Sequence, residues 1–292
     1  MLDIFNIPGQ QDNVKIYYAQ SGSNAWQTWT KPRGCKYIWI MCIGGGSGGT
    51  AGTGSALTSS AVATGGGSGA TVKALFPANV LPDILYVQPG LGGRGGVPPS
   101  GTSTSANRSF VSIAPTSSIP MNLVVTSGAA AASANGAETV FTTATYATYV
   151  GLLSLGTFFQ ITAGGNGGTT SFENRAALGG LSLTLGGCAG GAVSGSASPI
   201  TGGYVPAIAP YIPSMSGGTA TNINGDNGLF SLKPLILTSG GGGYGGSGSF
   251  GGNGGDGAFG CGGGGGGHTS AAGGTGGTGG KGGDGLVIIA TF

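Results

Sequence analysis

Hydrophobic residues in this chain come in short runs, each stopped by glycine, proline, asparagine or serine. The runs are VKIYYAQ, AWQTWTKP, KYIWIMCI, ATVKALFP, DILYVQPG, SFVSIAP and MNLVVTSG, all within the first 128 residues. They are rich in β-branched and aromatic residues, which suit a pleated, half-buried surface, and they recur at the spacing of an antiparallel β-sandwich. The chain ends on one more apolar run, LVIIATF, after a long glycine-rich stretch. A terminal strand of this strength needs a sheet to join, and the N-terminal sandwich is the expected partner.

From residue 128 the pattern changes. The stretch GAAAASANGAETVFTTATYATYVGLLSLGTFFQITAGG is rich in Thr, Tyr and Phe and predicts further strands, with a short helix near Glu138 as an alternative. Later prolines, as in YVPAIAPYIPSM, favour extended or turn structure over helix. The expected organisation is an N-terminal docking segment over 1–24, a β-sandwich over 25–127 plus 285–292, and a glycine-rich β/loop region over 128–284. The fold class is all-β: an antiparallel sandwich closed by the C-terminal strand, with polyglycine II-like segments.

Glycine supplies 69 of the 292 residues, and that abundance alters how its motifs read. Gly44, Gly46 and Gly49 follow the strand KYIWIMCI with the G-x-G-x-x-G spacing of a dinucleotide site. The same spacing recurs at Gly240, Gly242 and Gly245, and at Gly277, Gly279 and Gly282. No acidic residue or amphipathic helix follows the first copy, and Lys281 is followed by Gly282 rather than Ser or Thr, so neither a Rossmann nor a P-loop site is expected. The glycines read instead as one edge of a glycine-rich surface layer shared with 240–285.

The stretch GGTGGTGGKGGDG, residues 273–285, repeats G-G-x, and GGNGGDG at 251–257 is a shorter copy. A period of three matches the polyproline II conformation, which turns once every three residues and would extend this stretch to roughly 37 Å. Thr275, Thr278, Lys281 and Asp284 then line one edge, while two bare edges pair backbone N–H with C=O of neighbouring segments. Ordering glycine is entropically unfavourable, so such segments require dense hydrogen bonding or close packing.

Lys and Arg number 10 and Asp and Glu 8, a balance of +2 and only 6% charged residues. This gives no electrostatic basis for nucleic-acid binding, and suits a protein held in an assembly. The N-terminal sequence lacks the basic and long apolar regions of a signal peptide, and no apolar stretch reaches the length of a membrane helix. Cys35, Cys42, Cys188 and Cys261 are scattered; free or partly buried thiols are expected, a disulfide being the alternative, and the spacing does not favour zinc. His268 is the one histidine and has no acidic neighbour in sequence, which leaves a triad or metal site without its parts. Asp226, in NINGDNG, reads as a turn residue rather than a calcium ligand. No catalytic residue, cofactor or metal is expected, and the chain does not read as an enzyme.

Aromatic residues carry the functional expectation. Tyr204, Tyr211, Phe230, Tyr244, Phe250 and Phe259 lie among glycines or prolines, where a ring can stand clear of thin backbone and stack on a sugar or another apolar face. Of these, Tyr204, Tyr211, Tyr244, Phe250 and Phe259 are the candidate surface-recognition residues. The alternative is that the rings plug the glycine layers as core.

The stretches WTKPRGCKYIWIMCIGGGSGG, GGGSGATVKALF, LYVQPGLGGRGG, GGGGYGGSGSFGGNGGDGAFGCGGGGGG and GGTGGKGGDGLVIIATF resemble glycine-rich tail-fibre, adhesin and minor structural proteins of bacteriophages. The resemblance implies a non-enzymatic virion structural protein, a tail-fibre or spike component that contributes to host-surface recognition. It implies other virion proteins and a homo-oligomer or assembly as partners, a host cell-surface glycan or protein as the outer partner, and no membrane insertion. The alternative is a capsid-associated decoration protein without receptor binding. A third class, a glycine-helix ice-binding protein, would need tripeptide repeats through nearly the whole chain.

Overall fold

The computed structural model describes residues 13–20, 23–54, 63–99, 101–118, 121–130, 158–168, 200–207, 212–232, 234–246, 248–270 and 273–292. Tyr211, Cys188 and the stretch around Glu138 lie outside them. Within the described residues the regular structure is β, apart from a 3-10 turn at Ala78–Val80. The strands are β1 (Val14–Tyr18), β2 (Gln27–Thr30), β3 (Tyr37–Ile43), β4 (Thr71–Pro77), β5 (Ile84–Gln88), β6 (Ser109–Ser112), β7 (Asn122–Thr126), β8 (Phe158–Thr162), β9 (Phe230–Leu232), β10 (Leu235–Leu237) and β11 (Leu286–Thr291). They form a five-stranded sheet in the order β1-β11-β3-β4-β8, a four-stranded sheet in the order β2-β5-β6-β7, and the β9–β10 hairpin, with every pairing antiparallel.

The runs predicted from the first 128 residues are β1 to β7, and LVIIATF is β11. It lies between β1 and β3, pairing Val14 with Ala290 on one side and Ile40 with Ile289 on the other. The N-terminal residues 14–18, within the expected docking segment, therefore form an edge strand of the larger sheet.

Side-chain alternation divides β3 between two hydrophobic clusters. Ile38, Ile40 and Cys42 join Val72, Phe76, Leu85, Val87, Val111, Val124, Val287 and Ile289, a cluster drawn from both large sheets. Met41 and Ile43 face the other way and meet Val205, Met215, Leu237, Cys261, Leu286 and Ile288. With both faces covered, β11 is buried along its whole length, which is why its sequence is continuously apolar rather than alternating. Each fully buried Ile, Leu or Phe contributes about 1.5–3 kcal/mol through water exclusion.

Beyond the strand ends the chain runs on in glycine-rich segments that hydrogen-bond side by side with a period of three. Gly46, Gly49 and Gly52 donate to the carbonyls of Gly283, Gly280 and Gly277, each at 2.9 Å. Gly277, Gly280 and Gly283 donate in turn to Gly267, Gly264 and Cys261, each at 2.8 Å. Gly279 and Gly282 donate to Gly96 and Gly93, and Gly93 and Gly96 to Gly46 and Gly49. Threefold extended segments satisfy their backbone groups this way without side chains.

Close approach explains the glycines. A Cβ on Gly280 would lie 1.9 Å from the Gly255 carbonyl oxygen, and one on Gly46 2.0 Å from that of Cys261. Backbone conformation is the lesser demand: among the described glycines positive φ occurs at Gly34, at Gly260 where the segment 260–269 begins, and at Gly273 after its end. The first glycine run, residues 44–49, is buried within this array rather than at the surface expected for it.

The number of neighbours a segment has is written in its sequence. Residues 260–269 bond to segments 44–54, 63–70, 238–246, 250–258 and 274–285, and are buried almost throughout. Their sequence, GCGGGGGGHT, has hardly a side chain. Residues 274–285 lie at the rim, where Thr275, Thr278, Lys281 and Asp284 are exposed or half-buried. At each triplet two residues press on neighbours and must be glycine; the third faces outward and carries a side chain.

Candidate functional site

The outward edges of three segments, 223–229, 250–258 and 274–285, lie side by side. They run parallel, as Gly225 and Gly228 donate to the carbonyls of Asn253 and Asp256, and Gly254 and Gly257 to those of Thr278 and Lys281. Residues three apart share an edge of a threefold helix, so Phe250, Asn253 and Asp256 form one row and Thr275, Thr278, Lys281 and Asp284 the next. Successive side chains in a row are about 9.3 Å apart.

Outward N–H groups have no neighbouring backbone to bond, and side-chain oxygens of the adjacent row take its place. Thr278 N–H donates to Asn253 Oδ1 at 2.9 Å and Lys281 N–H to Asp256 Oδ1 at 2.7 Å. Asn253 N–H donates to Asn224 Oδ1 at 2.9 Å and Asp256 N–H to Asn227 Oδ1 at 2.8 Å. At the far rim Gly92 N–H donates to Asp284 Oδ1 at 2.7 Å. Each acceptor side chain has a second polar atom that these bonds do not use.

An open cleft of about 860 Å³ lies along this face, between residues 92–97 on one side and Phe230 and Phe259 on the other. Arg94, Asp256, Lys281 and Asp284 line it. The ion pair among the described residues is Lys31–Asp83 at 3.1 Å, away from the cleft, so neither cation there is bridged to a described carboxylate.

The sequence-predicted aromatic residues are not gathered in one place. Phe250 is 70% exposed and Tyr204 is also exposed, whereas Tyr244 and Phe259 are half-buried. Phe259 packs edge-on to Phe230, with centroids 4.7 Å apart, and against Tyr18 at 5.3 Å. Phe259 thus both borders the second hydrophobic cluster and lines the cleft. Phe250 stands at one end of the row, and Phe259 follows its other end in the turn closed by Cys261 N–H and the Ala258 carbonyl. The acceptor role of Asn253 and Asp256 escaped sequence reasoning, although aligning GGNGGDG with GGTGGTGGKGGDG as triplets places them on the same kind of edge as Thr278 and Lys281.

His268 is buried in the glycine array, 3% exposed. Its Nδ1 accepts from Thr53 N–H at 3.1 Å and contacts Thr53 Oγ1 at 2.8 Å. A nitrogen that accepts a backbone N–H is unprotonated, so the neutral ring carries its proton on Nε2, which has no hydrogen-bond partner among the described residues. Burial lowers the His268 pKa below its ordinary value. Cys35, Cys42 and Cys261 take part in no disulfide, and burial pushes the Cys42 pKa up to about 12. Among the described residues no three His, Cys, Asp or Glu side chains gather as a metal site.

No curated protein matches the chain. Residues 20–291 match the family model for a glycine-rich domain, a span that takes in the four-stranded sheet, the five-stranded sheet except β1, and the hydrogen-bonded glycine array, and the chain belongs to that family.

Proposed function

We propose that the protein is a non-enzymatic structural component of a virus particle, a tail-fibre or spike element whose glycine array presents a rigid face for host-surface recognition. The observation that carries this reading is the row Phe250–Asn253–Asp256, an ordered, outward-facing edge on backbone held by hydrogen bonds to its neighbours. Recognition groups gain from such support because little freedom remains to be lost on binding. The low charge of the chain suits permanent residence in an assembly. Its localisation is then the particle surface, with other virion proteins and further copies of the chain as neighbours.

A second reading, a particle-decorating protein without receptor binding, is favoured by β8. This edge strand of the larger sheet exposes Phe158 and Ile161, apolar groups of the kind that subunit contacts cover. Host-cell adsorption by particles carrying Phe250→Ala and Tyr244→Ala separates the two. Recognition predicts adsorption reduced at least about tenfold, the equivalent of 1.4 kcal/mol. Unchanged adsorption, with antibody labelling confined to contacts between subunits, would replace the first reading by the second.

A further inference from the structure

We infer that the cleft lined by Arg94, Asp256, Lys281 and Phe259 binds a neutral oligosaccharide. The inference rests on the recognition reading above and names the chemistry of the ligand. Backbone hydrogen bonding in the cleft is already used: Gly279 and Gly282 donate to Gly96 and Gly93, Gly92 to Asp284, and Lys281 to Asp256. An extended peptide added to this edge would find few N–H groups to pair with. The groups still available are side-chain heads, namely the second carboxylate oxygens of Asp256 and Asp284, the Lys281 ammonium and the Arg94 guanidinium.

Their charges select among ligands. Two cations and two carboxylates line the same cleft, so its formal charge sums to zero. An anionic ligand that reached Lys281 or Arg94 would also meet Asp256 and Asp284. Sugar hydroxyls need no such choice, because each donates to a carboxylate and accepts from an ammonium or guanidinium, in charge-assisted bonds stronger than neutral ones. The apolar faces of sugar rings fit the Phe230–Phe259 wall, and the edge-on packing of those rings holds that wall in place. Asp256 is pinned in the same sense: its Oδ1 is fixed by Lys281 N–H and its own N–H by Asn227 Oδ1. A cleft of this size, mixing aromatic wall and convergent polar groups, is of the kind that holds a small ligand.

The test is a printed array of neutral hexose and N-acetylhexosamine oligomers beside uronate- and sialate-bearing ones, probed with the full chain and two variants. Asp256→Asn keeps the oxygen that accepts Lys281 N–H but removes the carboxylate, and Lys281→Gln removes the ammonium while keeping the backbone bond. Both are expected to leave the thermal midpoint unchanged and to weaken binding to neutral oligomers at least about tenfold. Binding confined to acidic glycans, or neutral binding that both variants leave intact, overturns the inference. Absence of all glycan binding by a chain that still adsorbs to host cells overturns it while leaving the recognition reading in place. Absence of both overturns the two together.

Discussion

Ile40 and Gly46 belong to one uninterrupted stretch of chain and both are fully buried, but opposite means hold them in order. Around Ile40 the two large sheets exclude water with interlocking Ile, Val, Leu and Phe side chains, while hydrogen bonds run within each sheet. Around Gly46 there is almost nothing to interlock. Segments touch backbone to backbone, and hydrogen bonds run from each segment to several neighbours at once. A side-chain core fills space and can repack when one group changes size. A glycine array leaves no space to fill, and its tolerance is limited by the hydrogen atom that each glycine already carries.

The largest expected effect tests that asymmetry with one carbon atom. Gly280→Ala places a methyl group 1.9 Å from the Gly255 carbonyl oxygen, in contact with backbone that cannot rotate away. Adjacent segments must separate, and the hydrogen bonds from Gly280 to Gly264 and from Gly49 to Gly280 lengthen with them. The substitution is expected to destabilise by about 3 kcal/mol or more, the upper range for overpacking. Ile40→Val removes one carbon from the side-chain core and should lose about 1 kcal/mol. Denaturant unfolding of the two variants reads the difference directly. Equal losses would mean that the array yields as readily as the sheets.

Acid sharpens the comparison next, because the two regions bury different titrating groups. In the sheets the Cys42 thiol, with its pKa near 12, stays neutral throughout the acidic range. In the array the folded protein holds His268 neutral, with a pKa below the ordinary 6.5 that the unfolded chain retains. Below 6.5 the unfolded chain therefore binds the proton more readily than the folded one. Stability is constant above that value, falls as the pH drops beneath it, and levels once the folded pKa is passed. His268→Asn keeps an acceptor for Thr53 N–H and removes the titration. Unfolding midpoints measured between pH 7 and 5 should slope downward for the native chain and stay flat for this variant.

How much of this was legible follows from the same division. Strands β1 to β7 and β11 could be read from the sequence because their β-branched and aromatic runs end sharply at Gly, Pro, Asn or Ser, and side-chain patterns report side-chain burial. The outward edge at Thr275, Thr278, Lys281 and Asp284 was legible for a related reason, since a period of three leaves one residue per turn free of glycine. Which segment lies beside which was not. Gly46 against Gly283 and Gly264 against Gly255 are contacts between identical residues, and glycine carries no side chain to distinguish one neighbour from another. The cleft was hidden with them, because Arg94 meets Lys281 and Asp256 only through that order of segments. Phe259 reads as either a surface ring or a plug in the glycine layers, and sequence does not decide between them. It sits beside Phe230 and Tyr18, in the turn closed by the Cys261 N–H to Ala258 carbonyl bond, where Gly260 has a φ of +70°.

The smallest expected effect locates the boundary of the array. Gly248 is exposed, has no heavy atom within 4 Å of the position a Cβ would take, and does not adopt the positive φ that only glycine tolerates well. Alanine there displaces nothing and restricts the unfolded chain, so Gly248→Ala should be neutral or stabilise by up to about 1 kcal/mol. Gly252 lies close by in sequence, but its Cβ would meet the Ile223 carbonyl oxygen at 1.6 Å, and the same substitution there should resemble Gly280→Ala. The pair removes composition from the comparison, since both are glycines in one GSGSFGG stretch changed to the same residue. Paired unfolding curves that differ by several kcal/mol would show that intolerance follows the backbone contact. Curves that shift together would show that it follows glycine content, and would set aside the distinction between array and loop.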